Sequence, residues 1–217
     1  MANCVSKYPS QLNDNHTTKL AAPIIVNERK FHLNKSKSKH VSVGLAYDLG
    51  FQPCLTFSGN KTRPVVLSEF EWRDFLQYQG VLTNYFYSRE SFAPLSTPAF
   101  TVSFETYNEV KYIKLENKQN DYICFGIESI AQLWLLLPLI DYRLNILKHQ
   151  DFQNYFNSKL SLAQSKNGDV CQHILNVIAP ANNPESENVS TMMELVYQHP
   201  GLPDFISKCN IQYYTTY

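Results

Sequence analysis

Residues 59–75 read GNKTRPVVLSEFEWRDF, and the fold turns on this stretch. Gly59, Asn60, Lys61, Thr62 and Arg63 make a polar, basic turn, and Val65, Val66 and Leu67 make a short apolar strand. Ser68 and Glu71 then have the spacing of a capping box, in which each side chain satisfies the other's backbone N–H, so a helix carrying Trp72 should start here. A looser copy lies downstream: Glu116-Asn117-Lys118-Gln119-Asn120-Asp121, then Tyr122-Ile123-Cys124-Phe125, then a helix from about Glu128 that carries Trp134. The first copy is basic and the second acidic. A strand–turn–strand–helix unit repeated in this way, with no catalytic motif beside it, points to a binding module rather than an enzyme.

Upstream of the turn, Ile24-Ile25-Val26 and Phe31-His32-Leu33 predict a first strand, and Lys35 to His40 a basic hairpin loop. Val41, Val43, Leu45 and Tyr47 alternate with Ser42, Gly44 and Ala46, the period of a half-buried strand. Leu55 and Phe57 mark a third strand and Val65 and Leu67 a fourth, followed by a helix over 69–79 that Gly80 is placed to end. The first unit is therefore β-β-β-β-α, antiparallel because its connections are short.

Ser88 to Pro98 reads as a linker. Beyond it Thr101–Thr106, Val110–Leu115 and Tyr122–Phe125 predict fewer strands than the first unit has, so the copy is expected to be degenerate. Ile127–Leu137 predicts a strongly apolar helix that Pro138 should bend or divide. Residues 139–178 read as helical with a break at Asn167-Gly168-Asp169, Ala179–Ser190 as a loop and Thr191–Gln198 as a last helix. The expected organisation is a loose arm over 1–22, a basic sheet–helix unit over 23–87, a second, degenerate unit over 99–150, and a helical extension with a tyrosine-rich tail over 151–217. The fold class is α+β, an antiparallel sheet–helix unit duplicated as a pseudo-dimer with C-terminal helices.

With 217 residues, 44% of them hydrophobic and 13% aromatic, the chain can bury a working core. Its net charge is zero but uneven: residues 1–65 hold nine Lys/Arg against three Asp/Glu, and the rest ten against sixteen. The asymmetry is read in two ways, as an excess of charge on solvated faces or as a positive surface for an anionic partner. Cysteines 4, 54, 124, 171 and 209 are scattered without a C-x-x-C pair, so neither a disulfide framework nor a zinc site is expected, and no cofactor. No apolar signal core opens the chain, and the longest apolar run, Leu133–Ile140, is short for a bilayer. A nuclear or cytoplasmic protein without a membrane partner is expected, with the N-x-S/T sequons silent.

From Gly59, Lys61 and Arg63 through Leu67-Ser68-Glu69-Phe70-Glu71-Trp72, the sequence resembles the transcriptional coactivator family known as positive cofactor four. The resemblance covers roughly residues 24–86, and Gly44 stands where the family carries a basic residue. It implies a curved four-stranded antiparallel sheet followed by a helix, single-stranded DNA binding on the sheet, and two units paired through their helices. The residues read the same way. Single strands are held by cations that track phosphates and by aromatic faces that stack bases. Arg29, Lys30, Lys35, Lys37, Lys39, Lys61 and Arg63 fall on or beside strand connections, with Tyr47, Phe51 and Phe57 near them. These ten are the candidate nucleic-acid-binding residues, although such aromatics also serve as core. Lys35-Ser36-Lys37-Ser38-Lys39 could equally be a solvated loop, or a switch if Ser36 or Ser38 were phosphorylated.

The expected function is non-catalytic binding of single-stranded DNA or RNA in transcription, replication or genome maintenance, by a monomeric pseudo-dimer or a homodimer. Two other classes stay open. One is a protein-interaction or assembly module that docks a protein through the acidic C-terminal half. The other is a hydrolase with an unrecognised site, since sequence order does not exclude a triad of scattered Ser, His and Asp.

Overall fold

Two four-stranded antiparallel meanders, each followed by helix, form the molecule. The computed structural model describes residues 23–60, 62–164, 170–178 and 187–198. The first sheet holds β1 (Ile25–His32), β2 (Lys39–Ala46), β3 (Gln52–Gly59) and β4 (Val65–Ser68) in that spatial order. The second holds β5 (Leu95–Ser96), β6 (Phe100–Tyr107), β7 (Val110–Asn117) and β8 (Tyr122–Phe125), again in sequence order. The α+β class and the duplicated sheet–helix order are as expected. The second unit is not short of a strand, because β5 forms inside the segment read as a linker.

The alternation in each strand sets which side is core. Val41, Val43 and Leu45 of β2 pair with Phe57, Leu55 and Pro53 of β3, and Leu55 and Phe57 pair in turn with Leu67 and Val65 of β4. On the second sheet Val102, Ile113, Leu115, Ile123 and Phe125 occupy the corresponding inner rows. All of these but Pro53 are buried. At about 1.5–3 kcal/mol per fully buried aliphatic or aromatic side chain, these rows are the main favourable contribution to folding.

Helices α1 (Glu69–Gln77) and α2 (Gln79–Tyr87) follow β4, and the single helix α3 (Ile127–His149) follows β8. The capping box at α1 is formed: Ser68 N–H donates to the Glu71 carboxylate at 2.7 Å, and Glu71 N–H to Ser68 Oγ at 3.4 Å. Gly80 does not end this helix. The break comes earlier, at Tyr78 (φ −88°, ψ 0°), and Gly80 lies inside α2. Pro138 does not divide α3, which runs unbroken from Ile127 to His149. It is exposed, on the side of the helix away from the buried Ile130, Leu133 and Ile140.

The helices cross between the units. α3 lies on β2 and β3 of the first sheet as well as on its own β8, and α2 lies on β7 of the second sheet. β3 also meets β8 and β4 meets β7, the two contacts that an exchange of the units carries into each other. Phe57 against Phe125, with ring centres 5.5 Å apart, makes this junction a shared aromatic core.

The tryptophans mark the repeat only approximately. β3 begins at Gln52 and β7 at Val110, α1 at Glu69 and α3 at Ile127, an offset of 58 residues in both cases. That offset places Ile130, not Trp134, in the position of Trp72. Trp72 is fully buried against Phe57 and Phe75, whereas Trp134 is half-buried and donates from Nε1 to Thr83 Oγ1 at 3.0 Å. Phe75 touches both indoles.

Helices α4 (Phe152–Gln164), α5 (Val170–Ile178) and α6 (Glu187–Gln198) cover the β1 side and the β2–β3 turn. The last helix starts within the segment read as a loop. The predicted arm over 1–22, the break at 167–169 and the tyrosine-rich tail lie outside the described residues. β1 is bulged between Val26 and Arg29, with Asn27 at φ +52°. Asn27 holds α6 in place: its backbone N–H donates to Glu194 Oε2 at 2.9 Å, and its Nδ2 to Glu187 Oε1 at 2.9 Å.

Candidate nucleic-acid interface

Each sheet turns one face to the helices and the other outward. On the first sheet the outward residues of β2 are His40, Ser42, Gly44 and Ala46, opposite Ser58, Thr56, Cys54 and Gln52 on β3. The middle of this face is closed. The bulged part of β1 folds so near that a Cβ on Gly44 would lie 2.5 Å from Ile25 Cγ2 and 3.0 Å from the Val26 carbonyl oxygen. The Glu28 carboxylate accepts from Ser42 Oγ at 2.6 Å. Ser42, Cys54 and Thr56 are consequently buried, and burial pushes the Cys54 thiol up to about 12. A basic side chain in place of Gly44, as in the family that the sequence resembles, has no room.

The outward face of the second sheet is open and different in kind. Glu105 pairs with Tyr112, Ser103 with Lys114 and Lys114 with Cys124, and Glu116 with Tyr122; Tyr107 and Val110 close the β6–β7 hairpin. Lys39, Glu105, Tyr107, Val110, Lys111, Tyr112, Lys114, Tyr122 and Cys124 line a cleft of about 600 Å³ on this face. Tyr107 is 69% and Tyr122 41% exposed. The Lys114 ammonium lies 4.7 Å from the centre of the Tyr122 ring and 2.8 Å from Glu116 Oε2. The hydrogen bond to Glu116 raises the Lys114 pKa. Tyr112 donates to Glu105 Oε2 at 2.7 Å, and this bond is the first cause of a phenol pushed up to about 12. Lys39 enters the cleft from the start of β2, half-buried, and its ammonium makes no ion pair among the described residues. Burial raises the Cys124 thiol, with Lys39 the largest opposing influence.

A second cleft of about 600 Å³ occupies the corresponding place on the first unit, beside the outward side of β4. Val66 and Ser68 line it where Cys124 and Gly126 line the other, and the 48–49 turn stands where Tyr107 and Val110 stand. Its charges are Asp48, Glu71, Asp74 and Asp121 against Arg63 and Lys118. The cleft of the basic sequence unit is thus the acidic one, and the cleft of the acidic unit carries the lysines and tyrosines.

The ten candidate residues divide accordingly. Lys39 lines the tyrosine cleft. Lys35 and Lys37 are exposed on the β1–β2 turn that leads to it, and this turn is ordered by Asn34, whose Nδ2 donates to Ser38 Oγ at 2.8 Å while Lys37 takes φ +56°. Arg29 and Lys30 lie exposed on β1, Lys30 3.2 Å from Glu28. Arg63 meets Asp121 at 3.7 Å across the units, in the acidic cleft. Lys61 lies outside the described residues. The three aromatic candidates are corrected. Phe57 is fully buried in the inner row between Val41 and Val65. Phe51 is buried against Phe152 and Phe156, at 4.8 and 4.9 Å, and Tyr47 packs half-buried on Phe51 and Phe156. None of the three offers a face for a base.

Tyr107, Tyr112, Tyr122 and Lys114 are not among the residues that the sequence alone singles out. Their signal is the alternation of Tyr112, Lys114 and Glu116 with Ile113 and Leu115 in a predicted strand. The chain matches no protein-family model, no curated protein and no solved structure.

Proposed function

We propose that the protein binds single-stranded nucleic acid without catalysis, along the outward face of the second sheet. The observation that carries this reading is the juxtaposition of Tyr107, Tyr112 and Tyr122 with Lys39 and Lys114 in one open cleft. Aromatic faces contribute about 1–3 kcal/mol per stacked base, and ammonium groups gain by releasing counterions from phosphates. Tyr122, exposed and flanked by Lys114, offers both within one nucleotide's reach. The hairpin lysines, Lys35 and Lys37, extend the cationic track beyond Lys39. The paired sheet–helix units agree with what the resemblance to the positive cofactor four family implies, while the open face lies on the other unit from the one carrying the resemblance. In a duplex the base faces are covered by their stacked neighbours, so a platform that works by stacking favours single strands.

Fluorescence anisotropy with labelled single- and double-stranded DNA and RNA, titrated with salt, tests the reading. Single strands should bind tighter than duplexes of equal length, with affinity falling as salt rises. Absence of binding to every single strand at low salt overturns it.

A further inference from the structure

We propose that two copies of the chain associate through the outward stripe of α3, as an antiparallel, two-fold helix pair centred beside Pro138. Along α3 the exposed positions Glu128, Ala131, Leu135, Pro138, Tyr142, Asn145 and His149 follow one another at spacings of three and four residues, the repeat of a coiled-coil seam. The opposite side of the same helix, Ile130, Leu133, Ile140, Leu144 and Leu147, is buried against the sheets, so α3 carries two apolar faces and only one is covered. Leu135 is 75%, Leu139 44% and Tyr142 65% exposed.

The choice of occupant follows from the layout of the stripe. Its middle is apolar, from Ala131 to Tyr142, and its ends are polar with opposite charge: Glu128 in the first turn, Lys148 and His149 in the last. Turned end for end about Pro138, the stripe meets itself with apolar middle on apolar middle and the acidic turn of one copy opposite the basic turn of the other. A parallel pair would stack like charges at both ends. Antiparallel alignment also sets the helix dipoles favourably. Lys148 also meets Glu69 Oε2 of α1 at 3.2 Å, an exposed contact that a facing Glu128 would share.

Mass measurement by sedimentation and disulfide trapping test this together. The chain, 25.0 kDa as a monomer, should sediment at twice that mass at micromolar concentration. Leu135→Glu with Tyr142→Glu should return it to one chain with an unchanged circular dichroism spectrum, since both side chains are exposed in the single chain, and with a melting temperature that no longer rises with protein concentration. Pro138→Cys should trap a linked dimer on oxidation. Glu128→Cys should not: ten residues from the axis at 1.5 Å each, the two copies of that position lie about 30 Å apart, beyond disulfide reach. A single-chain mass at every concentration overturns the proposal, as does a dimer that survives the double substitution or is trapped equally well at Glu128. α3 is also apolar and long enough to meet a bilayer on composition alone. A monomer whose binding to anionic phospholipid vesicles is abolished by the same double substitution overturns the proposal in favour of that partner.

Discussion

The Lys114 ammonium lies 4.7 Å from the centre of the Tyr122 ring, on the face of the second sheet turned away from the helices. Cation and ring come from neighbouring strands, so β-sheet register alone brings an ammonium group beside an exposed aromatic face. Tyr122→Ala should weaken single-strand binding by the value of one stacked base, about 1–3 kcal/mol. Tyr122→Phe should keep most of it. Equal losses for the two substitutions, measured by anisotropy, would remove the ring from the interface.

The hairpin lysines give a separate prediction. Replacing Lys35, Lys37 and Lys39 together by Ala should lower affinity for single strands of any sequence and flatten the salt slope by roughly 0.7 for each phosphate left without its cation. Melting temperature should stay within error, because none of the three ammonium groups has an ion pair among the described residues. An unchanged slope makes the hairpin solvent-facing only.

Strand alternation makes the first sheet legible in advance: the inner row of Val41, Val43 and Leu45 can be read directly. What alternation does not say is which face the helices cover, and this decides whether an aromatic is core or platform. Phe57 shares a row with Val41 and Val65, and so lies under Trp72 and Phe75. Summing charge over halves of the chain misleads for the same reason, since Lys114 and Tyr122 lie on one face while the acidic groups of their unit are distributed over both turns and faces. The bulge at Asn27 leaves no sequence signal, yet it closes the outer face of the first sheet. The Trp-to-Trp spacing suggests the period of the repeat, but the structural offset is shorter and leaves the indoles in unlike surroundings.

Trp72 should be the costliest single truncation. It is fully buried between Phe57 and Phe75, so Trp72→Ala should lose about 3–5 kcal/mol in denaturant unfolding. Its indole N–H has no hydrogen-bond partner among the described residues, so Trp72→Phe gives up no bond there and should cost clearly less. Trp134→Phe, in contrast, forfeits the bond to Thr83 Oγ1, and Thr83→Val forfeits that bond together with the hydroxyl's own bond to the Gln79 carbonyl, so both should cost stability.

Acid should loosen the attachment of α6. The hydrogen bond from Asn27, then that from Arg143, holds the Glu187 carboxyl below the ordinary glutamate value. A carboxyl depressed on folding stabilises the fold above its unfolded pKa, about 4.3, and that contribution disappears as pH falls through the lower folded value. Amide exchange in α6 should therefore accelerate more steeply below about pH 4 than exchange in β2 or β3. Glu187→Gln should reduce that difference; exchange that rises in parallel across α6 and the sheet would contradict it.

The two equivalent clefts give the most direct test of where a single strand lies. Salt-dependent anisotropy with one single-stranded oligonucleotide should be compared for wild type, Lys39→Ala with Lys114→Ala, and Arg63→Ala with Lys118→Ala. The first pair should reduce the salt slope by about 1.4, at roughly 0.7 per neutralised phosphate, and weaken binding at low salt, while the second leaves both at wild-type values. Weaker binding with the Arg63 and Lys118 pair and none with the Lys39 and Lys114 pair would contradict the assignment of the second-sheet cleft.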